Sequence, residues 1–202
     1  MEFGKYAAIV IIAYLIGSFP TGYLMARWFK GVDPRQHGSG RTGGTNILRT
    51  AGKGAALATV AGDLLKGVIA VLLARAFVGT QLATTLAGLA AVLGHNRSIF
   101  LRFRGGAGAM TNAGVVLALT PHVVPFMLAA AFVAAKVSRM ASVTSIASVV
   151  AMVLVLLASF LLALTPMVYV VYGLLAGVLI LLELRPNIRR LASGSERRVE
   201  HY

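Results

Sequence analysis

Long apolar runs separated by cationic gaps constrain this chain more than any other feature. The runs cover about residues 6–26 and 55–78, a shorter stretch "LATTLAGLAAVLG" ending at Gly94, and about 109–135. Two more start at Ser142 and Met167. A helix needs about 20 predominantly apolar residues to cross a hydrocarbon core of roughly 30 Å, and most of these runs reach that length. With 58% hydrophobic residues and 12% charged residues, a soluble domain of 202 residues cannot hide so much apolar surface. The reading is one all-α, polytopic membrane helix bundle, residues 1–202 forming a single integral membrane domain with a flexible polar tail from about 193. The first run closes without an A-x-A cleavage site, so it reads as a retained span.

Charge sets the expected orientation. Arg27, Lys30, Arg35, Arg41, Arg49 and Lys53 occupy one gap, and Arg97, Arg102 and Arg104 the next. Lys136 and Arg139 occupy a third, and Arg185, Arg189, Arg190, Arg197 and Arg198 the tail. The positive-inside rule puts all four groups in the cytoplasm, with Lys5 and Arg75 outside and Lys66 within a span. Parity then requires the 109–135 region to leave the cytoplasm and return, as two short helices hinged near Pro121. Such helices are tolerable only when packed inside the bundle or lining a water-filled cavity. The count becomes seven helices, some short or broken, with the N-terminus out and the C-terminus in.

The same composition removes several function classes. A net charge of +13 on a soluble chain would suggest nucleic acid, but here the cations lie between apolar runs and no basic helix interleaves aromatics. No nucleic-acid partner is expected; anionic lipid or phosphate is. The absence of cysteine excludes a thioester intermediate and thiolate metal sites. No His is followed by H-x-x-x-x-D, and neither G-x-S-x-G nor H-E-x-x-H occurs. No carboxylate cluster is suited to a metal, which also removes a CDP-alcohol type phosphotransferase. No metal and no cofactor are expected, and any chemistry must use cations, amides and hydroxyls.

Those groups concentrate in three segments: "HGSGRTGGTNILRTAGK" from His37, "GHNRSIFLRFRGGAGAMTN" from Gly94, and "ELRPNIRRLASGSE" from Glu183. Glycine lets successive backbone amides turn toward an anion, and helix N-termini add partial positive charge. Ser39, Thr42 and Thr45 supply hydroxyls, while Arg49 and Arg104 supply charge. Together they read as a phosphate site at a membrane surface. "GGAGAMTNAG" fits close helix packing equally well. Asp63 and Lys66, three residues apart, share one helix face inside a span. They are either a mutually neutralising pair or a cavity-facing one, and intramembrane charge favours the second. His95 ends a span and reads as a polar cap or a site residue. His122 and His201 read as structural or solvated.

Taken in order, "GSFPTGYLMAR", "HGSGRTGGTNILRTAGK", "DLLKG", "GHNRSIFLRFRGGAGAMTN", "RMASVTSI" and "NIRRLASGSE" resemble the bacterial acyl-phosphate:glycerol-3-phosphate acyltransferases, the PlsY family. The resemblance runs from about Gly17 to Glu196. It implies a seven-helix protein of the bacterial inner membrane, with its site facing the cytoplasm. The implied reaction moves an acyl group from acyl phosphate to the 1-hydroxyl of glycerol 3-phosphate, giving lysophosphatidate for phospholipid synthesis. The implied partners are these two substrates, membrane lipid and an upstream enzyme that makes acyl phosphate. By the same resemblance, Ser39, Arg49 and Asn187 are the expected catalytic groups. The expected substrate-binding set is Gly38, Gly40, Arg41, Thr45, Asn46, Lys66, His95, Arg104, Gly105, Gly106, Gly108, Ser142 and Glu196. The chain departs from the family pattern at four positions: Arg41 replaces Asn, Gly44 replaces Ala, Ala107 replaces Lys, and Leu184 replaces His. The lost Lys resembles a phosphate ligand, and Arg41 or Arg104 is its candidate substitute. The alternatives are a paralogue that binds phosphate-bearing ligands without catalysing, and, less favoured, a small anion transporter.

Overall fold

A computed structural model of the chain describes residues 2–199, and all regular structure among them is helical. The chain divides into two compact units, residues 1–119 and 120–202. His201 lies outside the described residues.

The first unit holds α1 (Glu2–Ser18), α2 (Thr21–Lys30), α3 (Gly44–Ala51), α4 (Lys53–Phe77), α5 (Gln81–Asn96) and α6 (Ala109–Leu119). Its helices approach backbone to backbone, because glycine and alanine line their contacts. A Cβ at Gly17 would strike the Ala91 carbonyl, and one at Gly94 the Tyr14 carbonyl, which sets the α1–α5 crossing. Gly67 faces the Thr111 carbonyl and Gly114 the Leu64 carbonyl, setting α4 against α6. Ile9, Ala13, Ala70, Ala74, Ala87, Ala90 and Ala91 form one small-residue core. In lipid, close packing of small residues takes the place of a hydrophobic driving force. A second core of Ala26, Ile47, Ala51, Ala55 and Ala56 joins α2, α3 and α4.

The second unit holds α7 (Val124–Ser138), α8 (Ala141–Leu161), α9 (Met167–Glu183) and α10 (Arg185–Ala192). Val149, Met152 and Leu156 of α8 are buried, as are Val170, Tyr172, Ala176 and Ile180 of α9. Gly173 admits the Leu156 side chain, and Gly177 admits Val149. His122 Nε2 lies 3.1 Å from Ser159 Oγ, a structural contact of the kind expected for this histidine.

Large apolar side chains point outward in both units, among them Phe3, Leu57, Phe77, Phe132, Val137, Leu154 and Leu161. This surface suits lipid rather than water. By length and composition, four segments qualify as spans: Glu2–Lys30, Lys53–Phe77, Pro121–Ser138 and Ala141–Leu161. A fifth, Met167–Glu183 with Arg185–Ala192, is bent by 65°.

The six apolar runs appear as α1, α4, α5, the pair α6 and α7, α8 and α9, with the 109–135 run broken near Pro121 as expected. Three short helices add to the expected seven. The first run breaks at Phe19–Pro20 because proline cannot donate to the preceding turn, and α2 continues beyond it to Lys30. The amphipathic segments α3 and α10 sit in what reads as loop. The halves of the 109–135 region are unequal: α6 has 11 residues, whereas Pro121–Ser138 has 18 and is long enough to cross by itself. The tail expected to fray from about Ser193 is held through Val199. Gly194 turns at φ +70°, Ser195 N–H donates to the Arg190 carbonyl at 2.8 Å, and Val199 N–H donates to the Arg139 carbonyl at 2.7 Å.

Candidate active site

The glycine segment after α2 is folded around one side chain. Asn46, on the first turn of α3, is 3% exposed. Its amide nitrogen donates to the carbonyls of Pro34 (2.9 Å), His37 (3.2 Å) and Arg41 (2.8 Å). Its Oδ1 accepts the Ser39 N–H at 2.8 Å. One amide thus gathers four backbone groups of a turn that has no regular structure of its own. Gly38 (φ +59°) and Gly40 (φ +71°) adopt the left-handed conformation that closes the turn, and a Cβ on Gly38 would collide with Asn46 Oδ1. Asn46, expected as a substrate ligand, is therefore the organiser of the loop. Ser39 and Arg49 stay exposed, while Thr42 is buried and Arg41 and Thr45 are half-buried.

Two neighbours explain local sequence choices. Arg35 grips Asp33 through Nε (3.0 Å) and Nη2 (2.7 Å) and lies over the Tyr23 ring, so this cation is committed to the loop's own structure. The Arg35 hydrogen bond holds the Asp33 carboxyl below its ordinary range. A Cβ at Gly44 would stand 2.6 Å from Val60 Cγ2, so glycine in place of the family's alanine matches this neighbour.

The second glycine segment is tied to the end of α5. Gly105 N–H donates to the Asn96 carbonyl and Gly106 N–H to the His95 carbonyl, each at 3.2 Å. These two amides cap a helix terminus instead of joining an anion cradle. The amides of Ala107 and Gly108 come next, at the start of α6, where Asn112 N–H donates to the Gly108 carbonyl at 2.8 Å. Gly108 has φ +85°, and a Cβ there would meet Asn96 Oδ1. Arg104 is exposed and Ala107 half-buried.

A small, partly open cleft is lined in part by Ser18, Thr21, Thr42, Asp63, Lys66, His95 and Ser98. Thr42 belongs to the first glycine segment, and the His95 ring lies against Gly106 of the second. Thr42 thus brings the first segment to the cleft, and the His95 ring links the cleft to the second. Asp63, Lys66 and His95 are buried there. Lys66 Nζ stands 2.8 Å from Asp63 Oδ1, an ion pair whose alignment falls short of a hydrogen bond, and 3.2 Å from His95 Nδ1. Of the two readings of the Asp63–Lys66 pair, the cavity-facing one holds, and the pair neutralises itself as well. His95 completes the cluster, a partner that no spacing in the sequence announces.

In the second unit, Ser142, Asn187 and Glu196 meet as one cluster. Glu196 Oε1 accepts from Ser142 Oγ at 2.9 Å and Asn187 Nδ2 at 2.7 Å, and Oε2 accepts from Arg190 Nε at 2.7 Å. Arg190 was not among the expected site residues, although its place six residues before Glu196, across a glycine turn, marks it as a partner. Leu184, at the family's His position, is buried at the α9–α10 bend. Burial opposes ionisation of Glu196, but bonds from Asn187, Ser142 and Arg190 outweigh it and hold the carboxyl below its ordinary value of 4.5. The contribution to stability is therefore complete above pH 4.5 and is lost as pH falls through the lowered folded value. The protection of the residue 194–199 amides, taken relative to the intrinsic exchange rate at each pH, should fall on acidification below that point, and Glu196→Gln should abolish that fall. Protection that is flat with pH in the parent chain would contradict this anchoring.

Small-residue helix packing, an apolar exterior and a polar cleft holding buried charge define a polytopic membrane protein with a polar site among its helices. The model of the glycerol-3-phosphate acyltransferase family matches residues 7–194. The chain belongs to that family. A glycerol-3-phosphate acyltransferase of Rubrobacter xylanophilus is 46% identical over 94% of this chain and 93% of its own length. Glycerol-3-phosphate acyltransferase 3 of Dehalococcoides mccartyi is 41% identical over 98% of both. Among solved structures, PlsY (YgiH), an integral membrane glycerol 3-phosphate acyltransferase, in its glycerol 3-phosphate form superposes with a TM-score of 0.88. It is 36% identical, over 96% of this chain and 95% of that one. Its lysophosphatidic acid form gives a TM-score of 0.86.

Proposed function

We propose that the protein transfers an acyl group from acyl phosphate to the 1-hydroxyl of glycerol 3-phosphate in a bacterial inner membrane. Its polar loops face the cytoplasm, and the lysophosphatidate formed enters phospholipid synthesis. Within the shown family, the observation that carries the reading is the Asn46-centred turn. It spends one buried amide on four backbone groups and leaves Ser39 and Arg49 exposed beside them.

The acceptor oxygen attacks the acyl carbonyl carbon, the bond from that carbon to the phosphate oxygen breaks, and phosphate leaves with its electron pair. The hydroxyl proton passes to the acceptor's own phosphate. Acyl phosphate is an activated mixed anhydride, so the protein's task is to hold two anions in line and stabilise developing negative charge. Ser39 and Arg49 orient the acceptor, and the Ala107–Gly108 turn with Arg104 receives the donor phosphate. Asn187 and Glu196 are assigned to the same reaction by the resemblance of the third segment to the family's motif, with Glu196 holding Asn187 in place and Ser142 bonding the same carboxylate.

A panel of acceptors tests the assignment. Glycerol 3-phosphate should be acylated far faster than glycerol, because the acceptor's phosphate is both handle and base. Equal transfer to glycerol would refute it. The second reading, a binding paralogue, is favoured by the departures at Arg41, Ala107 and Leu184, of which the lost Lys at Ala107 is the most direct to test. Ala107 is half-buried, so part of its side chain already meets the surface that Ala107→Lys would extend into. Arg and Lys differ as phosphate ligands, one a planar fork and the other a point charge. Ala107→Lys should leave transfer unchanged or raise it; a large loss would mean that the loops are rebuilt for another ligand.

A further inference from the structure

The Asp63–Lys66–His95 cluster lies under the cleft, yet none of the steps above uses it. Its geometry is specific. Lys66 Nζ donates to the Phe19 carbonyl at 3.0 Å, lies 3.2 Å from His95 Nδ1, and forms an ion pair with Asp63 Oδ1 at 2.8 Å. The Phe19 carbonyl lies at the α1–α2 break, where Pro20 cannot supply a helical donor. His95 meets the second glycine segment twice: its carbonyl accepts the Gly106 N–H, and its ring fills the space where a side chain at 106 would stand. Ser98 Oγ donates to the Ser18 carbonyl at 2.5 Å, a second tie between the same two places.

We infer that Lys66 is a positioning residue that fixes the donor-side glycine segment by clamping His95 to the α1–α2 break, rather than a group that touches substrate. The inference rests on the transfer reading for its kinetic consequence, but its structural consequence stands apart from it. The ammonium is buried among three protein partners, the Phe19 carbonyl, the His95 ring and the Asp63 carboxylate. What it controls is the height of the 105–108 turn above the cleft.

The test is hydrogen exchange together with kinetics on Lys66→Met and on the charge-neutral pair Asp63→Asn with Lys66→Met. The double variant leaves no uncompensated carboxylate in a span, so it keeps the question open to measurement should the single variant fail to fold. Exchange of the Gly105 and Gly106 amides should rise roughly 5- to 10-fold, the factor that one lost hydrogen bond corresponds to. Exchange over residues 39–46 should stay unchanged. KM for acyl phosphate should rise while KM for glycerol 3-phosphate holds. His95→Asn, which keeps an acceptor near the Nδ1 position, should retain part of the protection. Unchanged exchange at 105–106 in the folded double variant, or an equal rise in both KM values, would overturn the inference. A parent chain that showed the exchange pattern but transferred no acyl group would leave the clamp standing and remove the reaction.

Discussion

Arg49→Ala is expected to lower acyl transfer by about 10²- to 10³-fold or more, since one oriented donor is typically worth about 2.7 to 4 kcal/mol. Arg49 lies in the last turn of α3 and is exposed, whereas the core under that helix is made by Ile47 and Ala51. The variant should therefore elute from a sizing column in detergent as the parent does and keep its helical content. Arg49→Lys should recover only part of the rate, because a point charge cannot reproduce the two-pronged grip of a guanidinium. Near-parent turnover by the alanine variant would refute the assignment of this residue to the acceptor.

Asn46→Asp should be at least as damaging by a different route. The change is nearly isosteric, but it sets a carboxylate oxygen against the carbonyls of Pro34, His37 and Arg41, where an amide now donates to all three. Each buried acceptor that loses its donor costs on the order of 1–3 kcal/mol, and the new buried charge adds to that. The helices should survive, since their packing does not depend on this side chain, while the 37–45 turn opens. Rapid proteolytic cutting within that turn, with glycerol 3-phosphate no longer saturating, is the expected outcome. An intact turn with normal KM would show that Asn46 is not its organiser.

These two residues show where sequence reasoning succeeds and where it stops. "GSGRTGGTN" announces an anion-suited turn, because glycine, hydroxyls and cations concentrate there without acids. It does not announce that Asn46 faces inward, since a hydrogen-bonding side chain reads alike whether it holds a ligand or its own backbone. The apolar runs disclose the long helices and the Pro121 hinge, as length and hydropathy are local properties. The α1–α2 break was also written locally, at Phe19–Pro20, but a continuous apolar run masks it. The eight-residue helices α3 and α10 are too short to show periodicity above that of a loop. Asp63 and Lys66 are legible as a pair because they share one helix face. His95 joins them from α5, and Arg190 joins Glu196 across the Gly194 turn. The first link is a matter of tertiary packing, which spacing along the chain does not encode; the second is local, and its six-residue spacing across a glycine turn is the signal that could have found it.

The most direct test of the whole account is a stoichiometry. Purified protein in detergent, given acyl phosphate and labelled glycerol 3-phosphate without coenzyme A, should release lysophosphatidate and inorganic phosphate in equal molar amounts. Phosphate release without labelled lysophosphatidate, or no turnover of either substrate while both bind, would contradict it.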